Sequence, residues 1–344
     1  MWDHGWRPGG LRYSPAVDPS PVRTRLSEFL HGSGIELGPG HSPYAPLPHG
    51  TSVRYVDRWQ PEQNSSLFRE LGGDAHFPRP DVVANFDVDR LDDFPDQSED
   101  FVICSHVLEH VANPIALLRD IYRVLRPGGT LLLLLPDRHR TFDSTRVPTS
   151  LAHLVVEFEK DVTEVDDLHI EEFLDHTNIG EGQTTSVPED PEERRALFEL
   201  HRRRSIHVHC WDQEEFVDVL THGIECLGQQ WEFLDGVSTV EGGPDGIEFG
   251  FVLQRGETSG TPTAVLEQFT SRWESWKDDR DRWVILEAER PPLTRNEYRL
   301  FEELQTTRGE LAAARAELTN LQQSKTWRYT AVARRLYHRA RPAR

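Results

Sequence analysis

Short apolar runs alternate with amphipathic stretches from Gly34 to Gln254, and this rhythm governs the first two thirds of the chain. Gly34 to Leu37, Val53 to Asp57, Asp81 to Phe86 and Asp100 to Ser105 read as short strands. Pro21 to His31 reads as a helix, entered from Ser20 as N-cap and left through Gly32 and Gly34. Asn113 to Leu125 sets Ile115, Leu118, Ile121, Tyr122 and Leu125 at spacings of three and four, which predicts a helix stopped by Pro127, Gly128 and Gly129. Thr130 to Leu135 is apolar on both faces, as a central parallel strand covered by helices must be. Strand and helix in alternation predict an α/β fold with a doubly wound, Rossmann-like sheet.

The rhythm stops at Pro136. Two polar helical stretches, Ser150 to Phe173 and Glu189 to Arg203, fill a helical insertion over 138–205, read as a cap over the sheet. The pattern resumes with Asp212 and Glu215 as a capping box for a helix Gln213 to Leu220, closed by Gly223. Ile224 to Phe233 and Gly246 to Gln254 read as a last strand pair joined by the turn-rich Val240 to Asp245. This divides the chain into an N-terminal segment and first helix (1–33), a main domain (34–256), a linker with a helical segment (257–292), a coiled coil (293–323) and a tail (324–344). The coiled-coil seam is Leu300, Leu304, Thr307, Leu311, Ala314, Leu318 and Leu321; the tail carries Lys325, Arg328, Arg334, Arg335, Arg339, Arg341 and Arg344 among Trp327, Tyr329 and Leu336. A seam this short predicts weak self-association or a protein partner, and the basic aromatic tail suits the surface of an anionic membrane.

Charge narrows the functions. With 58 acidic against 38 basic residues the net charge is −20, which argues against nucleic acid as a partner. The longest aliphatic run, Leu131 to Leu135, is too short to span a bilayer, and the N-terminus lacks the pattern of a secretory signal, so a cytoplasmic location is expected, with the tail able to reach the inner membrane face. Cys104, Cys210 and Cys226 fit neither a disulfide framework nor a metal motif and are expected to be buried thiols.

The candidate chemistry gathers at Ile35-Glu36-Leu37-Gly38-Pro39-Gly40. Gly38 and Gly40 allow a tight turn at a strand's C-terminal end, the edge where doubly wound sheets bind ligands. Pro39, Pro43, Pro46 and Pro48 oppose the helix that would hold a pyrophosphate on its N-terminal amides. Glu36 before the glycines and Asp57 at the end of the next strand instead suit a ribose and an ammonium group without phosphates. Asp87 follows the third predicted strand. His106, Glu109 and His110 form His-x-x-Glu-His, a spacing able to hold zinc on a helix; here it begins at a strand end, and no residue is assigned to a metal. In Pro136-Asp137-Arg138-His139, after the central strand, His139 is the first candidate base and His106 the second. His207 and His209 alternate on a short predicted strand before Trp211 and are read as structural.

Glu36-Leu37-Gly38-Pro39-Gly40, Asp57, the run Asp100 to Val111 and Leu125-Arg126-Pro127-Gly128-Gly129, in this order, resemble the class I S-adenosylmethionine-dependent methyltransferases of the type-11-like branch. The resemblance implies a seven-stranded sheet with its last strand antiparallel and S-adenosyl-L-methionine as cofactor. It further implies Glu36, Gly38 and Gly40 beside the methionine moiety, Asp57 on the ribose, Asp87 and Val88 near the adenine, and Ser105 and His106 on the inner wall. The expected reaction is O-methylation of a saccharide or other small-molecule acceptor, with surface-polysaccharide assembly as its setting. The competing readings are N-methylation of a metabolite and a catalytically idle scaffold.

Overall fold

Leu131 to Leu135 are fully buried, and they form the middle of the sheet because both of their faces are covered. A computed structural model describes residues 21–71, 75–176, 187–242, 246–256 and 260–288. Its strands are β1 (Ser33–Leu37), β2 (Ser52–Asp57), β3 (Val82–Val83), β4 (Glu99–Ser105), β5 (Leu125–Pro136), β6 (Trp231–Val237) and β7 (Glu248–Arg255). They form one seven-stranded sheet in the order β3-β2-β1-β4-β5-β7-β6. Strands β1 to β5 pair in parallel, while β7 runs antiparallel to β5 and to β6.

The period of two along each strand sorts the core into two layers. Ile35, Leu37, Val102, Cys104, Leu131, Leu133 and Leu135 face the larger layer with α3 (Pro114–Val124) and α7 (Gln213–Leu227). Phe101, Ile103, Leu132 and Leu134 face the other, against Leu26 and Leu30 from α1 (Pro21–Ser27) and the loop after it. A third cluster of Ile170, Leu174, Phe198, Ile206 and Val208 holds the cap together. Its helices are α4 (Leu151–Glu159), α5 (Asp167–His176) and α6 (Pro191–Arg204). The remaining helices are the short α2 (Pro61–Leu67) and α8 (Pro262–Ala288).

Several expectations are corrected. The helix over Pro21 to His31 ends at Ser27, and a turn then leads into β1. The strand over Asp81 to Phe86 shrinks to Val82–Val83, because the chain then folds into a turn in which the Asn85 N–H donates to the Asp89 carboxylate. The stretch Ser150 to Phe173 is two helices, broken where Asp161 takes a positive φ of 49° and the Val162 N–H returns to the Glu157 carbonyl. The Asp212–Glu215 capping box is present, but α7 runs past Gly223 to Leu227 and ends at Gly228, so Ile224 is helical and β6 starts only at Trp231. Residues 206–210 form no strand; only Trp211 makes a bridge, to Asp137. Cys104 and Cys210 are buried, whereas Cys226, in the last turn of α7, is exposed.

Strand Leu125–Pro136 takes in the Arg126-Pro127-Gly128-Gly129 segment that stops α3 at Val124. No helix intervenes between β1 and β2, in keeping with the prolines there. The packed body continues beyond Gly256: Phe269 and Trp273 of α8 join the larger layer, with the Trp273 ring 5.8 Å from that of Phe233 and 5.6 Å from that of Phe251. The coiled coil and basic tail assigned to 293–344 lie outside the described residues. No described helix is long and apolar enough to cross a membrane.

Trp273 is 2% exposed, so Trp273→Ala leaves a large cavity on β6 and β7 and is expected to cost about 3–5 kcal/mol. Chemical denaturation reads this directly, and a loss below about 1 kcal/mol would show that α8 is dispensable to the core.

Candidate active site

Four buried carboxylates mark the C-terminal edge of the parallel strands: Glu36, Asp57, Asp87 and Glu109. Glu36 lies near the end of β1, ahead of a turn in which Gly38 and Gly40 have φ of +56° and +52°. A Cβ on Gly38 would meet Val107 Cγ2 at 2.9 Å, so the backbone can pass here only as glycine. Glu36 Oε1 accepts the Tyr44 N–H at 2.7 Å, tying the proline-rich loop down, while Oε2 has no hydrogen-bond partner. Burial is the main influence on this carboxyl and lifts its pKa to about 7, against the Tyr44 hydrogen bond and the nearby Arg23.

Asp57 closes β2, and its Oδ1 accepts the Trp59 N–H at 3.3 Å. Burial raises its pKa, opposed by hydrogen bonds from the Trp59, Arg58 and Gly40 backbone and from Asn64. Asp87 accepts the Ala112 N–H at 2.7 Å and is likewise raised by burial. Its neighbour Val88 is 59% exposed, so of the two residues placed at the adenine only Asp87 turns inward. The rim here is shared with the cap: Arg58 donates to the Arg202 carbonyl and Trp59 Nε1 to the Arg203 carbonyl, both at the end of α6.

Ser105 ends β4, and His106 follows in the left-handed region at φ +54°. That conformation costs a β-carbon-bearing residue of order 1–3 kcal/mol and persists only where neighbours impose it. His106 Nε2 lies 2.9 Å from Glu248 Oε2, and Arg23 makes two hydrogen bonds to the same Glu248, at 3.1 and 2.7 Å. Burial disfavours charge on His106, yet Glu109 and Glu248 outweigh it and raise its pKa to about 9. Burial likewise opposes charge on Glu248, but His106 and Arg23 bring it down to about 2. The two carboxylates beside it favour the protonated form of His106.

Glu109 is wholly buried, with Oε1 3.5 Å from His106 Nδ1 and 3.7 Å from His110 Nε2, too long for firm hydrogen bonds. His110 Nδ1 lies 3.0 Å from the Ile206 carbonyl, which fixes the proton there and leaves Nε2 free toward Glu109. The His110 ring meets that of His207 edge-on at 4.8 Å, so Glu109, His110 and His207 converge.

His207 is the residue that sequence reasoning undervalued. Its Nδ1 sits 2.6 Å from Asp143 Oδ2, and Asp143 is fully buried. Arg146, equally buried, donates to Asp143 Oδ1 at 2.8 Å and to the carbonyls of His207 and Val208 at 2.8 and 2.9 Å. The only signal in the chain was Asp143 close behind the central strand; its partner lies 64 positions on. His139 stands on a single helical turn after β5, its side chain 54% exposed and its Nε2 3.3 Å from Asp212 Oδ2. It is drawn to the α7 cap rather than into the Glu109 group.

This topology, with a glycine turn after β1 and an acidic residue ending β2, defines a Rossmann-like fold of the methyltransferase type. Residues 35–133 match the family described as "Methyltransferase domain", and the chain carries a class I S-adenosylmethionine-dependent methyltransferase domain of the type-11 branch there. Two relatives called ubiquinone biosynthesis O-methyltransferase, from Pseudomonas savastanoi pv. phaseolicola and Pseudomonas syringae pv. syringae, are each 24% identical over 142 residues, or 40% of this chain. The chain spans 60% of the length of each. Among solved structures, a SAM-dependent methyltransferase from Methanosarcina mazei is 17% identical, covering 70% of this chain and 100% of the other at a TM-score of 0.35. One from Mesorhizobium loti is 15% identical, covering 68% and 96% at 0.37.

The position of Glu36 has a consequence for stability. Between pH 4.5 and about 7 the folded chain keeps a proton that the unfolded chain has released, so this group weakens the fold as pH rises through that window, by about 3 kcal/mol in all. Glu36→Gln mimics the protonated form and should remove that slope: wild type loses stability relative to the variant from pH 5 to 7.5 in urea titrations. Parallel pH profiles would refute the placement of a buried carboxyl with one unpartnered oxygen here.

Proposed function

We propose that the chain transfers the methyl group of S-adenosyl-L-methionine to an oxygen of a small-molecule acceptor, with saccharides the favoured class. The observation that carries this reading is the pair of buried carboxylates, Glu36 and Asp57, on either side of the Gly38–Gly40 turn. A cationic, phosphate-free nucleoside is the ligand such a pair suits: Glu36 Oε2 has an open acceptor for an ammonium, and Asp57 a place for ribose hydroxyls. Gly38 and Gly40 give the methionine moiety room, Asp87 is assigned the adenine with Val88 at its outer edge, and Ser105 with His106 lines the inner wall. When bound, the cofactor supplies an electrophilic methyl on a sulfonium.

An acceptor hydroxyl that took up this methyl group would have to lose its proton. We assign its removal to His207 Nε2, with Asp143 holding the proton on Nδ1. A dyad of this kind favours an oxygen acceptor over an amine, which can attack unionised. The two relatives named as O-methyltransferases support the same choice. His139, half exposed and beside Asp212, is the second candidate for this step. The C-terminal seam and basic tail remain the proposed contact with a protein partner, a second copy or an anionic membrane.

Calorimetry with S-adenosylhomocysteine tests the cofactor assignments. Asp57→Ala should weaken binding about 10- to 100-fold, the equivalent of one strong charge-assisted hydrogen bond. Unchanged affinity sinks the ribose assignment, and binding of NAD in place of S-adenosylhomocysteine sinks the whole reading.

The base is tested by release of S-adenosylhomocysteine with a panel of hydroxylated acceptors. His207→Ala is expected to lower turnover about 10²–10⁴-fold with cofactor affinity nearly intact. Normal turnover in His207→Ala alongside a comparable fall in His139→Ala would transfer the role to His139.

A further inference from the structure

Within the cap and the segment before Trp211, four ligand-type side chains meet without any assigned purpose. They are His153 and Glu157, one turn apart on α4, His169 on α5, and His209 in the segment before Trp211. One ligand atom from each lies within 4.8 Å of all the others. His153 Nε2 is 3.0 Å from His169 Nε2 and 3.1 Å from Glu157 Oε1. His169 Nε2 is 3.3 Å from Glu157 Oε1, and His209 Nε2 is 3.4 Å from Glu157 Oε2.

We propose that His153, Glu157, His169 and His209 bind one zinc ion that staples the cap to the chain segment leading back into the sheet. Four donors around a tetrahedral zinc at its usual bond length of about 2.1 Å stand roughly 3.4 Å from one another; four of the contacts here are 3.0–3.4 Å and the rest lie within 4.8 Å. Hydrogen bonding alone leaves the group unsatisfied. His209 is 0% exposed, and neither of its ring nitrogens makes a well-formed hydrogen bond; Glu157 Oε2 is also buried and without one. Leaving such groups unpaired in an interior is costly, and a cation at their centre satisfies them together.

The surroundings favour the same arrangement. His169 Nδ1 is 2.8 Å from Asp166 Oδ1, so the proton sits on Nδ1 and the Nε2 lone pair points at the cluster. A carboxylate behind a histidine in this way is the usual outer support of a zinc ligand. His209 is stacked on Trp211 at 5.7 Å, and Asn113, the N-cap of α3, donates to the Glu157 carbonyl at 3.2 Å, so ring and carboxylate helix are both fixed. His153, with its side chain 45% exposed, leaves a route for the ion to enter. Three nitrogens and one carboxylate oxygen fill all four positions of a tetrahedron, so the site is structural, with no open position for chemistry. Its ligands come from α4, α5 and the chain before Trp211, which itself bridges to Asp137 at the end of β5.

The test uses the full chain, purified without a polyhistidine tag from zinc-supplemented cells, and elemental analysis by mass spectrometry. About one zinc per chain is expected. A strong chelator should remove it with a fall in Tm of about 5 °C or more, restored by zinc alone. His153→Ala, at a half-exposed position, and His169→Ala should each lose at least nine tenths of the zinc, whereas His207→Ala, outside the cluster, should keep it. Should the ligand variants fail to fold, cobalt(II) added to the chelator-treated native chain gives the tetrahedral absorption bands that the proposal requires. Native chain that takes up neither zinc nor cobalt overturns it, as does zinc retained in His153→Ala but lost in His207→Ala, which would move the ion to Glu109, His110 and His207.

Discussion

The desolvated guanidinium of Arg146 is the interaction on which the arrangement of the crevice depends. It is 2% exposed and surrounded by acceptors: Asp143, Glu172 on α5, and the backbone carbonyls of His207 and Val208. A buried arginine is tolerable only when its donors are this fully engaged, and the guanidinium in turn dictates where each acceptor must sit. Burial opposes its charge, but the partners outweigh burial and push its pKa above the ordinary arginine value. Through one side chain the loop after β5, helix α5 and the 206–210 segment become a single unit. His207 owes both its backbone position and the orientation of Asp143 to it.

Around that unit the crevice is acidic by construction. Glu36, Asp57, Asp87 and Glu109 are taken out of water at one sheet edge, and only some of their oxygens find donors. Burial raises the cost of ionising Glu36, Asp57 and Asp87, whereas the histidines around Glu109 hold its charge. The prolines between Gly38 and Thr51 work in the same direction, since they deny the turn a following helix whose N-terminus would attract phosphate. Arg23 and His106 share the Glu248 carboxylate, and His106 also lies beside Glu109.

What was legible in the chain and what was not divides along a physical line. Strands β1, β2, β4 and β5 and helix α3 are set by local pattern: both-face burial writes an unbroken apolar run, and Asn113-Pro114 announces a helix start. The Asp212–Glu215 box was readable for the same reason, because both partners lie within one turn. The length of α7 was not, since Gly223 is a helix stop only in the absence of packing. β3 failed because an edge strand two residues long carries almost no periodic signal. The site followed the same rule. Glu36, the glycines and Asp57 belong to a contiguous motif, whereas His207 and Asp143 meet across 64 positions, and His209 meets His153 and His169 only once the cap has folded. Alternation of His207 and His209 suggested one shared face; irregular backbone there sends them to different clusters.

The helical insertion is tied to the rest of the chain at several separate points. Arg58 and Trp59 grip the end of α6 over the β2 edge, and Arg90 pairs with Asp161 between α4 and α5. Arg146 holds the other side. Swinging the cap away as a lid would strip Arg146 of the His207 and Val208 carbonyls or of Glu172 and leave a buried charge short of partners, at a cost of about 3–5 kcal/mol.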